Sequence, residues 1–95
     1  MRIILEVTSG PMDGHLFEFN HTVDIGREGK LKLALDRFIS RRHAQIEVKE
    51  PHVVLEDLRS TNGTFVDDQR LQGRVELRNG QIFRVGRTWL EINWT

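Results

Sequence analysis

The sequence predicts an all-β fold, a sandwich or barrel of short antiparallel strands. Apolar and polar residues alternate along several short stretches, which is the pattern of strands with one buried face. Glycine, asparagine, aspartate and proline separate these stretches every several positions, as turns do in antiparallel sheets. A chain of 95 residues is long enough for one hydrophobic core, so we expect a single domain over residues 1–95.

The first half of the chain contains three predicted strands and one ambiguous stretch. Residues 3–7 alternate between apolar and mostly polar side chains, and residues 15–19 place two phenylalanines on one face. Residues 22–25 alternate in the same way. The leucines of residues 31–39 fit both a helix and a strand. Because this stretch is short and follows a glycine, we predict a short strand followed by a loop.

The second half of the chain contains four more predicted strands. Residues 44–49 alternate cleanly, and the strand predicted at 53–58 starts with the apolar, mostly β-branched run 53–55, which Glu56 and Asp57 follow. Residues 83–85 and 90–94 complete the set, and the turn between them contains a glycine.

Charge and composition exclude several classes of function. Fourteen basic and fourteen acidic residues give zero net charge, whereas nucleic-acid binders normally carry a basic excess. The longest apolar run covers only residues 3–5, so we expect no membrane contact. The chain has no cysteine, and its histidines lack the spacing of metal ligands, so we expect neither a metal nor a cofactor. With no secretory signal at its start, the sequence favours a cytoplasmic location.

Three short motifs lie in the predicted loops. Gly26-Arg27 follows the third strand, Ser40-Arg41-Arg42-His43 precedes the strand at residue 44, and Ser60-Thr61-Asn62-Gly63-Thr64 follows the strand at 53–58. None of them is specific alone, since Asn-Gly is above all a turn signal and the second motif fits an ordinary polar loop. Their order and spacing together carry the information.

In that combination, Gly26-Arg27, the Ser-x-x-His of Ser40 and His43, and the run Thr61 to Thr64 resemble the forkhead-associated (FHA) domain, a module that recognises phosphothreonine. The similarity extends from residue 3 to residue 94. It implies an eleven-stranded antiparallel β-sandwich of the FHA/SMAD-like kind, whose loops at one end bind a phosphopeptide.

The resemblance also implies a role for each residue of the site. Arg27 would hold the phosphate, and Ser40 and Thr61 would donate their hydroxyl groups near it. Arg41 would contact the phosphate through its side chain or its backbone N–H. Asn62 would form a hydrogen bond with the peptide backbone beside the phosphothreonine.

Three further residues are expected to support the site rather than touch the ligand. Gly26 and Gly63 belong to the scaffold, and glycine at position 26 would permit a close backbone approach. His43 resembles the family histidine that holds the binding loops together by hydrogen bonds.

The resemblance also implies that partner preference comes from the residue three after the phosphothreonine. The residues that read it would lie near Arg37 and Phe38 and just after Thr64, and Phe38 suggests an apolar preference there.

The chemistry of the ligand agrees with this set of residues. A phosphothreonine carries about −1.5 to −2 charges and three strong acceptor oxygens at neutral pH. Such a group is best bound by a cation with a forked set of donors, such as a guanidinium, together with hydroxyl and backbone N–H donors. That combination is supplied by Arg27, Ser40, Arg41 and Thr61. The sequence therefore predicts a non-catalytic module that binds a threonine-phosphorylated protein or segment.

Other functions remain open at this point. One alternative is a phosphate-independent interaction surface or dimerisation domain, and we expect a monomer or weak homodimer. Nucleic-acid binding through the eleven arginines is disfavoured by the zero net charge. An enzyme is disfavoured because no third group is evident that would orient Ser40 and His43 as nucleophile and base. We expect no catalytic residue.

Overall fold

Eleven strands in two sheets form the whole of the regular structure, and no helix occurs. The computed structural model describes all residues from Met1 to Thr95. The strands are β1 (Ile3–Ser9), β2 (Leu16–Phe19), β3 (Val23–Gly26), β4 (Leu31–Lys32), β5 (Ala44–Lys49), β6 (His52–Asp57), β7 (Thr64–Val66), β8 (Gln69–Arg70), β9 (Arg74–Glu76), β10 (Ile82–Val85) and β11 (Thr88–Trp94). The predicted all-β sandwich is confirmed.

The two sheets pack face to face around one core. The first sheet has six strands in the order β2-β1-β11-β10-β7-β8, and the second has five in the order β4-β3-β5-β6-β9. Eighteen apolar side chains are buried between them. In β1 and β11 every second residue faces this core, so the alternation visible in the sequence is the alternation of the two sheet faces.

One strand pair departs from the predicted antiparallel arrangement. β3 and β4 are parallel and share only two pairs, Ile25 with Leu31 and Gly26 with Lys32. Two parallel strands are normally joined by a long crossover connection, but here only the four residues 27–30 join β3 to β4. Gly29 permits this because a Cβ there would lie 2.7 Å from the backbone nitrogen of Gly26. The stretch 31–39 otherwise forms the short strand and loop that the sequence predicts.

A buried carboxylate joins the long loop between β4 and β5 to the turn between β10 and β11. Asp36 is only 1% exposed. Its Oδ1 accepts a hydrogen bond from the Phe38 N–H at 2.9 Å, and its Oδ2 accepts one from the Arg87 N–H at 2.8 Å. The hydroxyl of Thr88 donates to the same Oδ2 at 2.7 Å. The turn and the loop are therefore held in one fixed arrangement.

None of the chain forms a helix of the length and apolar character needed to cross a bilayer.

We predict that Thr88→Val lowers the free energy of unfolding by about 1.5–3 kcal/mol, because it removes a hydrogen bond to a buried charged group while keeping the side-chain shape. The measurement is urea unfolding. Thr8→Val, at an exposed position of β1, is the matched control and is expected to change the free energy by less than about 0.5 kcal/mol. Equal effects of the two substitutions would contradict the role given to Asp36.

Candidate functional site

All five residues predicted to contact a ligand line one cavity of about 460 Å³. Each of the three motifs lies next to the end of a strand. These strand ends lie at the same end of the sandwich, so the motifs come together there. The lining is mostly polar and contains four arginines but no carboxylate. It consists of Arg27, Arg37, Phe38, Ile39, Ser40, Arg41, Arg42, Thr61 and Asn62.

The first two motifs are joined by their backbones. The Arg27 N–H donates to the carbonyl of Ser40 at 3.1 Å, and the Glu28 N–H donates to the carbonyl of Arg41 at 3.0 Å. Gly26 makes this possible, because a Cβ at that position would collide with the carbonyl oxygen of Arg41. Gly26 is therefore required because two segments of the backbone lie very close together at this point.

Ser40 connects all three motifs. Its carbonyl accepts from Arg27, and its hydroxyl oxygen accepts from the Thr61 N–H at 3.1 Å. Its own N–H donates to the Nδ1 atom of His43 at 3.1 Å. Since the hydroxyl oxygen already accepts a bond, its hydrogen is left to donate to a group in the cavity.

His43 is fully buried and joins the second motif to the third. Because Nδ1 accepts from the Ser40 N–H, the hydrogen of the neutral ring must lie on Nε2, which donates to the carbonyl of Gly63 at 2.8 Å. Burial lowers the pKa of His43 below its ordinary value of 6.5, although the bond to Gly63 and the charges of Asp57 and Asp36 act in the opposite direction. The site is built around a neutral histidine.

The third motif is shaped by a carboxylate that sequence reasoning did not single out. Asp57 accepts hydrogen bonds from the Ser60 N–H at 3.1 Å, from the Ser60 hydroxyl at 2.6 Å and from the Thr64 hydroxyl at 2.7 Å. Burial alone would raise the pKa of Asp57, but these hydrogen bonds outweigh it and hold the pKa below 3.8. The ionised carboxylate thereby fixes the loop that carries Thr61 and Asn62.

Asn62 closes one side of the cavity. Its side-chain amide donates to the carbonyl of Phe38 at 2.8 Å, so the loop after β6 is tied to the loop before β5. Its Oδ1 atom is left to accept a hydrogen bond. Thr61 beside it is exposed, and its backbone N–H is already used by Ser40.

The four arginines differ in their ionic partners. Arg41 pairs with Glu28 at 3.5 Å, and Arg42 pairs with Asp24 at 3.4 Å. Neither Arg27 nor Arg37 forms an ion pair. A chain of zero net charge therefore presents a concave surface of positive sign, and residues with hydroxyl and guanidinium groups line it.

Sequence reasoning missed three positioning residues: Asp57, Ser60 and Asp36. A signal for the first two was present, since Asp57 and Ser60 stand three residues apart as in a turn closed by a side chain. Asp36 gave no local signal, because its partners Arg87 and Thr88 lie more than fifty residues further along the chain.

Comparison with known proteins gives one family. The model of the FHA domain matches residues 23–86. The FHA domain-containing protein FhaB of Mycolicibacterium smegmatis is 36% identical over 90 residues, which are 93% of this chain and 58% of that protein. FhaB of Mycobacterium tuberculosis is 34% identical over the same extent. The chain thus spans a little over half the length of these curated relatives.

Solved structures agree with this. The FHA domain of the CT664 protein from Chlamydia trachomatis superimposes with a TM-score of 0.90 at 27% identity, covering 100% of this chain and 99% of that one. A domain solved in a structural and functional analysis of phosphothreonine-dependent FHA domain interactions gives a TM-score of 0.87 at 26% identity, covering 100% and 98%.

The pKa of His43 predicts how stability depends on pH. Because folding lowers the pKa of His43, the unfolded chain binds the proton more readily than the folded chain. The contribution of the neutral ring to the stability of the fold is therefore fully present above pH 6.5. It is lost as the pH falls from 6.5 through the lower pKa of the folded state. We expect the free energy of unfolding, measured in urea, to decrease between pH 7.5 and pH 5. The matched variant is His43→Gln, which keeps a donor and an acceptor but cannot be protonated.

In His43→Gln the decrease over this pH range is expected to be smaller than in the original chain. The decrease from Asp57 comes mainly as the pH falls through 3.8 and below, so it contributes little above pH 5. An equal pH slope in both proteins would show that His43 does not carry the effect.

Proposed function

The chain is a forkhead-associated domain, and we propose that it binds partner proteins through a phosphorylated threonine held in the cavity of Arg27, Ser40, Arg41, Thr61 and Asn62. The observation that carries this proposal is the meeting of all five side chains around one cavity without a carboxylate. The solved relative from the study of phosphothreonine-dependent interactions supports the choice of phosphoamino acid.

Arg27 is proposed to provide the main grip on the phosphate. Its side chain is exposed at the cavity and forms no ion pair, so binding the phosphate costs it no existing salt bridge. A guanidinium offers two parallel N–H donors, which match two phosphate oxygens. Its backbone is fixed by the hydrogen bond to Ser40, and this limits the entropy lost on binding.

Ser40 and Thr61 are proposed to complete the phosphate site with hydroxyl donors. The Ser40 oxygen is held by the Thr61 N–H, so its remaining hydrogen is oriented before a ligand arrives. Arg41 would give up its ion pair with Glu28 in order to bind the phosphate. Because that ion pair is long and exposed, breaking it costs little free energy. Asn62, fixed through Phe38, would accept a hydrogen bond from the peptide backbone.

We assign no catalytic step to this site. A serine nucleophile needs a base within hydrogen-bond reach of its hydroxyl. The Nδ1 of His43 instead accepts from the backbone N–H of Ser40, and its Nε2 is used by Gly63. The geometry of the pair supports binding rather than nucleophilic chemistry.

A second candidate function is a phosphate-independent interaction through the outer face of the six-stranded sheet. There Trp89 and Ile82 are 36% and 43% exposed, and the guanidinium of Arg84 lies 4.1 Å from the ring centre of Phe65 and 5.5 Å from that of Trp89. This face can act together with the phosphopeptide cavity. The monomer or weak homodimer, the cytoplasmic location and the absence of nucleic-acid and membrane partners stay predictions.

The first test of the proposed function is Arg27→Ala. We expect affinity for the tightest binder from a phosphothreonine peptide library to fall about 10- to 100-fold, which corresponds to the loss of one charge-assisted contact. Isothermal calorimetry measures it. Arg78→Ala, which removes one exposed arginine outside the cavity, is the control and is expected to bind as before. Unchanged affinity in Arg27→Ala, with the fold intact by thermal unfolding, would refute the site.

The second test is the dependence of affinity on salt. The proposed phosphate contacts are partly exposed, so we expect affinity to weaken steadily as sodium chloride rises from about 50 to 500 mM, where the Debye length shortens from roughly 14 to 4 Å. Fluorescence anisotropy with the same labelled peptide gives the curve. An affinity that does not respond to salt would indicate a mainly apolar interface.

A further inference from the structure

The outer face of the six-stranded sheet carries two neighbouring rows of side chains with opposite charge. A row is a set of residues that lie side by side on adjacent strands, at right angles to the strand direction. Residues two apart on one strand point to the same face, so the rows lie about 7 Å apart. On β11 these residues are Trp89 and Glu91, and on β10 they are Arg84 and Ile82.

The first row is built on an arginine between two aromatic rings. Arg84 is paired with Trp89 of β11 on one side and with Phe65 of β7 on the other. Its guanidinium lies 4.1 Å from the ring centre of Phe65 and 5.5 Å from that of Trp89. One of its N–H groups donates to the carbonyl of Gly86, and it forms no ion pair. We call Trp89, Arg84 and Phe65 the arginine row.

The second row brings two glutamates together. Glu6 of β1 and Glu91 of β11 are directly opposite each other, and neither forms an ion pair. Like charges in directly opposed positions destabilise a sheet, so this arrangement is unfavourable in the isolated chain. Beside the two glutamates lie Leu16 of β2 and Ile82 of β10, which are 64% and 43% exposed. We call Leu16, Glu6, Glu91 and Ile82 the glutamate row.

The two rows complement each other in charge but do not neutralise each other within one chain. Arg84 and Glu91 are diagonal neighbours across β10 and β11, yet they form no ion pair. A twofold axis that runs between two such faces, parallel to the rows and midway between them, would place each arginine row over the glutamate row of the other copy. A twofold contact requires a face that is complementary to itself, and this face meets that requirement.

We propose that the outer face of the six-stranded sheet binds a second copy of the chain, in a twofold dimer in which Arg84 of each copy pairs with Glu91 of the other. Packed sheets lie about 10 Å apart and neighbouring strands about 4.8 Å apart, so an arginine on β10 can reach a glutamate on β11 of the opposite sheet. The exposed surface of Trp89 and Ile82 would be buried between the copies and would favour association. The dimer does not involve phosphothreonine binding, since none of these residues lines the phosphate cavity.

Sedimentation equilibrium of the original chain is the first measurement. We expect the average mass to rise from one chain towards two as the concentration increases from about 5 to 500 µM, which corresponds to a dissociation constant of about 50 µM. A chain that stays monomeric over this range would overturn the proposal and leave the face to a different partner.

The decisive experiment reverses the two charges separately and then together. Arg84→Glu alone sets acid against acid in both contacts of the dimer, and Glu91→Arg alone sets base against base. We expect each variant to associate at least about tenfold more weakly than the original chain. An equimolar mixture of the two variants restores both ion pairs, so we expect a heterodimer within about threefold of the original affinity. The double variant, which carries both substitutions, is expected to dimerise equally well.

The matched control is Lys49→Glu, which reverses one exposed charge on the five-stranded sheet and is expected to dimerise like the original chain. Circular dichroism shows whether each variant is folded, and if Arg84→Glu does not fold, Glu91→Arg alone decides. The proposal is overturned if either folded variant keeps the original affinity, or if the mixture of folded variants stays monomeric. Loss of the dimer would leave the proposed function intact, because peptide affinity is measured separately.

Discussion

The site depends on one buried, neutral histidine that connects two loops. His43 accepts from the Ser40 N–H on one side of its ring and donates to the Gly63 carbonyl on the other. Only the neutral ring can do both, because the charged ring has no acceptor. Burial of the ring favours this form, since desolvation penalises the charge. His43 thereby sets the Ser40 backbone and the Gly63 carbonyl relative to each other, while Asp57 and Asn62 hold the rest of the loop.

Asp57 and Asp36 act as internal anchors of the loops at this end, and this helps to explain how an electropositive cavity coexists with zero net charge. The carboxylate of Asp57 accepts hydrogen bonds from Ser60 and Thr64. That of Asp36 accepts hydrogen bonds from Phe38, Arg87 and Thr88. Neither carboxylate lines the cavity. These two negative charges therefore hold the loops from positions outside the cavity lining, whereas four arginines belong to that lining.

Alternation in the sequence predicted the long strands because each has one buried face. β1, β5, β6 and β11 all follow this pattern. β8 was not recognised, because both residues of Gln69–Arg70 are exposed and no apolar contact marks them. β9 was missed for a similar reason, since Val75 is its single apolar residue. Short edge strands are formed by backbone pairing with a neighbour, which a local pattern does not record.

For the site, the order of the three motifs was enough to predict which residues would meet. It was not enough to predict how they are held. The Asp36 contacts join residues 51 and 52 positions apart, and the ion pairs of Arg41 and Arg42 depend on side chains of β3 and the loop that follows it. These contacts are set by the packing of two sheets, so they become visible only in three dimensions.

The loops around the cavity are tied to one another by hydrogen bonds within the chain. No buried side-chain polar atom lacks a hydrogen-bond partner, so the interior behind the cavity holds no open hydrogen-bonding group. The donors that remain open at the cavity are the exposed guanidinium groups and the hydroxyl groups of Ser40 and Thr61. Binding energy is then not consumed in ordering the loops, which is the main cost for a flexible anion site. The charges that remain open at the cavity are those of Arg27 and Arg37, since neither forms an ion pair, and they give the cavity its positive sign.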